Sequence, residues 1–161
     1  MSSAPERYTD RPFPPYRHQP GQTPHPIRDP AGHSYGQPEP DLPDLNVSDW
    51  RKCEHYLYGI DLFNAGYWWE CHEVLEGLWH ASGIGSATGH VLQAVIQCAA
   101  AHLKASTDRP VGAMRLLDHS LRHARWSCDR CLGLDLDALV RDTRVFLTVE
   151  GAEPARLRPE F

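Results

Sequence analysis

The residues best suited to chemistry in this chain lie in one short run, His72-Glu-Val-Leu-Glu76, with Trp79 three residues on. An imidazole and a carboxylate four apart on a helix stand one turn from each other and can hydrogen-bond. Such a pair suits three tasks: ligating a metal, holding an imidazole as a general base, or organising a polar core. Gln93 and Gln97, one turn apart on a later helix, bring amides that can donate to Glu76 or accept from His72. Trp68 and Trp79 add flat surface and an N–H each, and Asn64 adds another amide. We expect a buried cluster of His72, Glu76 and Gln97, roofed by Trp68 and Trp79, with Gln93 and Asn64 as further members.

Each task makes demands on the neighbours. A catalytic zinc needs a third protein ligand, and helical bundles that hold two metals turn four or more carboxylates inward. Helical projection sends Glu70 and Glu73 outward, so no metal and no cofactor is expected, with His72 and Glu76 as the fallback ligands. For covalent catalysis Cys71 is adjacent in sequence, but it stands about 100° round the helix from His72. A second set, His119-x3-His123-x4-Cys128-x2-Cys131, has zinc-like spacing. It requires the helix to break near Trp126, since a continuous helix puts both histidines opposite Cys128. A redox reading of the same Cys-x-x-Cys lacks a helix N-terminus to lower the thiol pKa. Arg115, Arg122, Arg125 and His119 form a basic outer stripe, read as a solvated face.

These side chains need helices to position them. From residue 48 onward apolar residues recur every three or four positions, and no alternating stretch appears. Ser48 or Asp49 heads a first helix to about residue 65. A second covers about 67–82, with Trp68, His72, Leu75 and Trp79 on one stripe. A third, about 88–105, is apolar nearly all round and belongs at the centre. A fourth starts near Pro110 and runs to about Cys128; a fifth spans about 136–149, capped by Asp135. The expected fold is all-α, an antiparallel bundle of about five helices.

Eleven of the 14 prolines fall in residues 1–43, which hold one Ile, one Leu, no Val and no Trp. That stretch offers little apolar area to offset chain entropy, so it reads as a disordered Pro-rich tail. Arg11-Pro-Phe-Pro-Pro-Tyr-Arg17 carries a PxxP that could dock on an aromatic groove, although a solvated tail is the simpler reading. The bundle domain is then 44–155, and 156–161 a flexible C-terminus. A formal net charge of −5 argues against nucleic acid as a partner. No apolar run is long enough to span a membrane, and the N-terminus has no secretory h-region. Five scattered cysteines without such a signal point to a reducing cytoplasm rather than a disulfide framework.

The run Leu62 to Trp79 resembles the signature of domain-of-unknown-function family 309, small helical proteins marked by HxxxExxW, here His72, Glu76 and Trp79. Leu92-Gln-Ala-Val-Ile-Gln-Cys-Ala-Ala-Ala101 is similar to its second signature, a Gln-containing apolar helix. The likeness spans about residues 54–125, with Cys71 and Ala94 standing where Ala and Gly are expected. It implies an all-α bundle with the motif gathered on facing helices, and it implies no reaction. The sequence therefore reads as a binding or interaction module for a small ligand or protein partner. The alternative is a metal-dependent or acid–base enzyme using His72 and Glu76.

Overall fold

A computed structural model describes residues 4–107, 110–128 and 130–161. Five helices follow in order: α1 (Glu54–Asn64), α2 (Trp68–Ser82), α3 (Ala87–Ala105), α4 (Pro110–Trp126) and α5 (Leu136–Thr148). Short 3-10 turns occupy Trp50–Lys52 and Cys131–Gly133, and there is no strand among the described residues. The all-α bundle expected from periodicity is the observed fold. α3 packs against α2, α4 and α5, the central place its all-round apolar surface requires.

The helix ends follow local chemistry. Ser86 Oγ accepts from the Gly89 amide at 2.9 Å to start α3. A Cβ at Gly89 would lie 2.7 Å from the Gly83 carbonyl, so this tight entry requires glycine. Asp135 caps α5 through the Ala138 amide, as expected. Ser48 and Asp49 do not cap α1. Their amides donate to Asn46 Oδ1 in the turn before Trp50, and Cys53 precedes the first turn of α1.

Residues 4–43 have no regular secondary structure, yet they are not the solvated tail expected from composition. They form an irregular strap packed along α1 and α2. Asp61, 1 % exposed, accepts from Arg7 Nε at 3.1 Å, the amides of Tyr8 and Thr9, and Thr9 Oγ1 at 2.7 Å. The Tyr58 hydroxyl donates to Pro12 O and the Tyr67 hydroxyl to Pro14 O. Phe13 stacks on Tyr67, and the Arg11 guanidinium lies 4.3 Å over Tyr58. The PxxP segment thus does dock on aromatics, those of its own bundle.

The C-terminus expected to be flexible is also held. Asn64 Nδ2 donates to Leu157 O at 2.8 Å, and the Leu157 amide returns a bond to Asn64 Oδ1 at 2.7 Å. Leu157 is buried, and the Glu160 amide donates to Gly133 O. Asn64 therefore ties down a terminal segment and is used up by it, instead of joining a polar cluster.

Candidate functional site

α2 buries Cys71, Leu75 and Leu78, spaced by four and three, against the bundle. This face is rotated from the expected Trp68–His72–Leu75–Trp79 stripe. His72 and Glu76 consequently sit half-buried at the helix rim, not in the core. The side chains of His72 and Glu73 are 32 % and 34 % exposed. His72 Nδ1 meets Glu73 Oε1 at 3.2 Å, so the imidazole turns to its sequence neighbour. One donor atom from each of His72, Glu73 and Glu76 falls within 4.8 Å of the other two. Among the described residues this is the one group of three or more possible metal ligands brought so close together. The Glu73 hydrogen bond holds the His72 pKa above its ordinary value, outweighing burial, and the Glu76 charge adds to it.

The other expected members part company. Gln97 Nε2 donates to Gln93 Oε1 at 3.3 Å, and Gln97 Oε1 is buried with no hydrogen-bond partner. Trp68 leans on His102 with ring centroids 5.2 Å apart, and its indole N–H is buried without an acceptor. Trp79 lies against the start of α3 at Gly89 and beside His80. Glu70, expected to point outward, is 4 % exposed beneath the strap. It accepts from the His18 amide at 2.7 Å and from His33 Nε2 at 3.1 Å.

The His119/His123/Cys128/Cys131 set does not assemble. His123 Nδ1 faces His90 Nδ1 across α3 and α4 at 3.1 Å, His119 is exposed, and Cys128 is paired with Cys131. Burial, then the charge of His90, lowers the His123 pKa. That bridge closes only a two-residue loop, and Cys53, Cys71 and Cys98 are free thiols. Burial pushes the Cys71 thiol well above the ordinary range, which disarms it as a nucleophile beside His72. Arg115, Arg122 and Arg125 are exposed, as a solvated stripe should be.

Two groups of consequence escaped sequence reasoning. Glu73 joins the rim cluster because a histidine side chain can swing between neighbours at i+1 and i+4. His102 is fully buried in α3, its ring stacked on Phe146 at 4.7 Å and edge-on to Phe63. Its Nδ1–H donates to Cys98 O at 2.8 Å, and Nε2 accepts from the Ala155 amide at 3.2 Å. Burial lowers its pKa to about 4. A histidine inside the apolar run of α3 was the available signal. Of the five tryptophans only Trp126, at the end of α4, projects into solvent, 75 % exposed.

Fold and site together define a small helical bundle that presents a His–Glu–Glu rim on its second helix. Residues 56–116 match the family described as Domain of unknown function (DUF309). The matched stretch runs from α1 into α4 and contains every residue of the rim cluster. No curated protein matches the chain. No helix of the described residues is long and apolar enough to cross a membrane.

Proposed function

We propose that this protein is a binding module whose α2 rim takes a divalent cation, or a small ligand carrying one, through His72, Glu73 and Glu76. The convergence of the three donor atoms within 4.8 Å carries this reading. One imidazole with two carboxylates suits borderline to hard cations such as Zn²⁺ or Mn²⁺. Three protein donors leave coordination positions for water or a ligand, and half-burial of the rim leaves a path of entry. Exposed Trp126 is the natural anchor for a protein partner. A cytoplasmic setting belongs to the same reading, supported by three free thiols, two of them fully buried.

One observation favours the acid–base alternative. The Glu73 hydrogen bond raises the pKa of His72 and favours its protonated ring, the form in which it could act as a general acid. Calorimetric titration of the full chain with Zn²⁺ and Mn²⁺ tests the binding reading. One saturable site is expected, weakened about tenfold or more in His72→Ala and in Glu76→Gln, in keeping with loss of one ligand. Unchanged binding in both variants, or none in the wild type, overturns it.

A further inference from the structure

The rim makes no use of Cys128 and Cys131. Their sulfurs are paired with Cα atoms 5.3 Å apart, where α4 has ended and the turn Cys131–Gly133 begins. The two differ in access: Cys128 is exposed and Cys131 is 6 % exposed. The backbone holding them is unusual. Arg130 and Leu132, neither of them glycine, both adopt left-handed φ of 50° and 56°. Such conformations persist only where the surroundings impose them. Here the Tyr56 hydroxyl donates to Leu132 O at 2.8 Å, and the Glu160 amide donates to Gly133 O at 2.9 Å. The Trp50 ring closes over Gly133, where a Cβ would lie 2.6 Å from Cη2. Anchors in α1, the Trp50 turn and the C-terminal segment therefore hold the Cys131 side of the pair in place, independently of the bond between the sulfurs.

Closing so short a loop removes less chain entropy than the long loops of structural bridges, so the bond is poorly placed as a staple. Of the remaining cysteines Cys53 is half-buried, while the other two are poor rivals for exchange. Cys71 and Cys98 are fully buried, and burial pushes the Cys98 thiol to about 11. A cavity of about 430 Å³ opens beside the pair, walled by Val47, Trp50 and Arg51 among others. Its wall has apolar surface, the Arg51 guanidinium, able to meet the carboxylate of a small peptide thiol, and the Glu160 carboxylate, able to meet its amine.

We propose that Cys128 and Cys131 form a reversible dithiol–disulfide centre that exchanges with low-molecular-weight thiols and disulfides of the glutathione class. In the oxidising direction the exposed Cys128 thiolate attacks one sulfur of the small disulfide RSSR. A Cys128–S–S–R bond forms, the RS–SR bond breaks, and RS⁻ leaves to take up a proton. The Cys131 thiolate then attacks the Cys128 sulfur, forming the protein disulfide and expelling the second RS⁻. The protein dithiol loses two electrons and two protons, and RSSR becomes two RSH. Reduction by two RSH is the reverse.

The full chain is equilibrated in buffers of graded GSH to GSSG ratio, acid-quenched, alkylated and read by peptide mass spectrometry. Cys128 and Cys131 are expected to pass together from alkylated to bridged with one midpoint, while Cys71 and Cys98 stay thiols throughout. In GSSG, Cys131→Ser should accumulate about tenfold more glutathione adduct at Cys128 than Cys128→Ser does at Cys131, because the exposed thiol attacks first. A pair alkylated at every ratio, a pair bridged at every ratio, or a stable glutathione adduct on Cys128 of the wild type overturns the proposal. Equal adduct levels in the two variants overturn the assignment of Cys128 as the attacking thiol.

Discussion

Acidification should strike this fold chiefly through His102. Its unfolded pKa is the ordinary 6.5, and in the fold burial holds it at about 4. Between those values the unfolded chain carries a proton that the folded chain refuses. Stability from this group is fully present above pH 6.5, falls as the pH drops toward 4, and is gone below it. The gap corresponds to about 3 kcal/mol, a large share of a small domain's total. The geometry supplies the reason. Nδ1–H is already given to Cys98 O, and the Nε2 lone pair holds the Ala155 amide. A second proton can land only on Nε2, where it breaks that bond and leaves a charge among Phe63, Trp68 and Phe146. Urea unfolding at steps from pH 7 to 4, for the wild type and His102→Phe, measures the effect. At pH 7 the variant should be less stable by roughly 1–3 kcal/mol, because Ala155 N–H loses its acceptor. The gap should then shrink, or reverse, by about 3 kcal/mol on going to pH 4. Other histidines titrate alike in both proteins and cancel in the difference. Parallel stability curves across that range would refute the reasoning.

Four further outcomes are expected. Asp61→Ala removes the acceptor of four strap bonds; the freed donors rehydrate, so the strap should detach, with faster amide exchange at Tyr8 and Thr9 and new proteolysis within residues 4–43. Unchanged protection there would show that the strap is held by something else. Replacing His72 and Glu76 together by Leu should change unfolding free energy by no more than about 1 kcal/mol, since rim pairs of this exposure are weak; a loss of several kcal/mol would make them core organisers. His72's raised pKa favours the protonated form, so its own contribution to stability is present below 6.5 and lost as pH rises through the folded value. Cation affinity measured by calorimetry should rise over that same interval as the proton stops competing, and a pH-independent affinity would count His72 out as a ligand. Asn64→Ala breaks both bonds to Leu157 and should cost about 1–3 kcal/mol by denaturant unfolding, with faster exchange at the Leu157 amide.

The helices were legible because their apolar residues repeat at helical spacing and their ends carry local signals such as Asp135, Pro110 and Gly66. The strap was not. Its anchors are main-chain amides of Tyr8, Thr9 and His18 reaching Asp61 and Glu70, and tyrosine hydroxyls reaching proline carbonyls. None of these leaves a periodic trace, and each partner lies some fifty residues away. Two carboxylates inside apolar surroundings, Asp61 after Ile60 and Glu70 beside Cys71, were the only hint that something must cover them. The candidate site was half legible. His72 and Glu76 do share a face, but a helical wheel cannot say which arc a neighbour covers. The bundle covers Cys71, Leu75 and Leu78, which moves His72 and Glu76 to the rim and brings Glu73 to them. Trp68 and Asn64 were drawn away by His102 and Leu157, partners that only the tertiary fold supplies.

The stacking of Tyr8 on Phe161, with ring centroids 5.8 Å apart, and of Phe161 against Trp50 has a topological consequence. Side chains 153 positions apart share one patch, so residues 8–161 trace nearly a closed ring. A short linker could join residue 161 to the start of the strap, and new ends could open at Gly83–Gly85, where two positive-φ glycines make an exposed turn. Such a circular permutant would keep every helix and both end segments in place. The order in which the helices are threaded is thus separable from the way they pack.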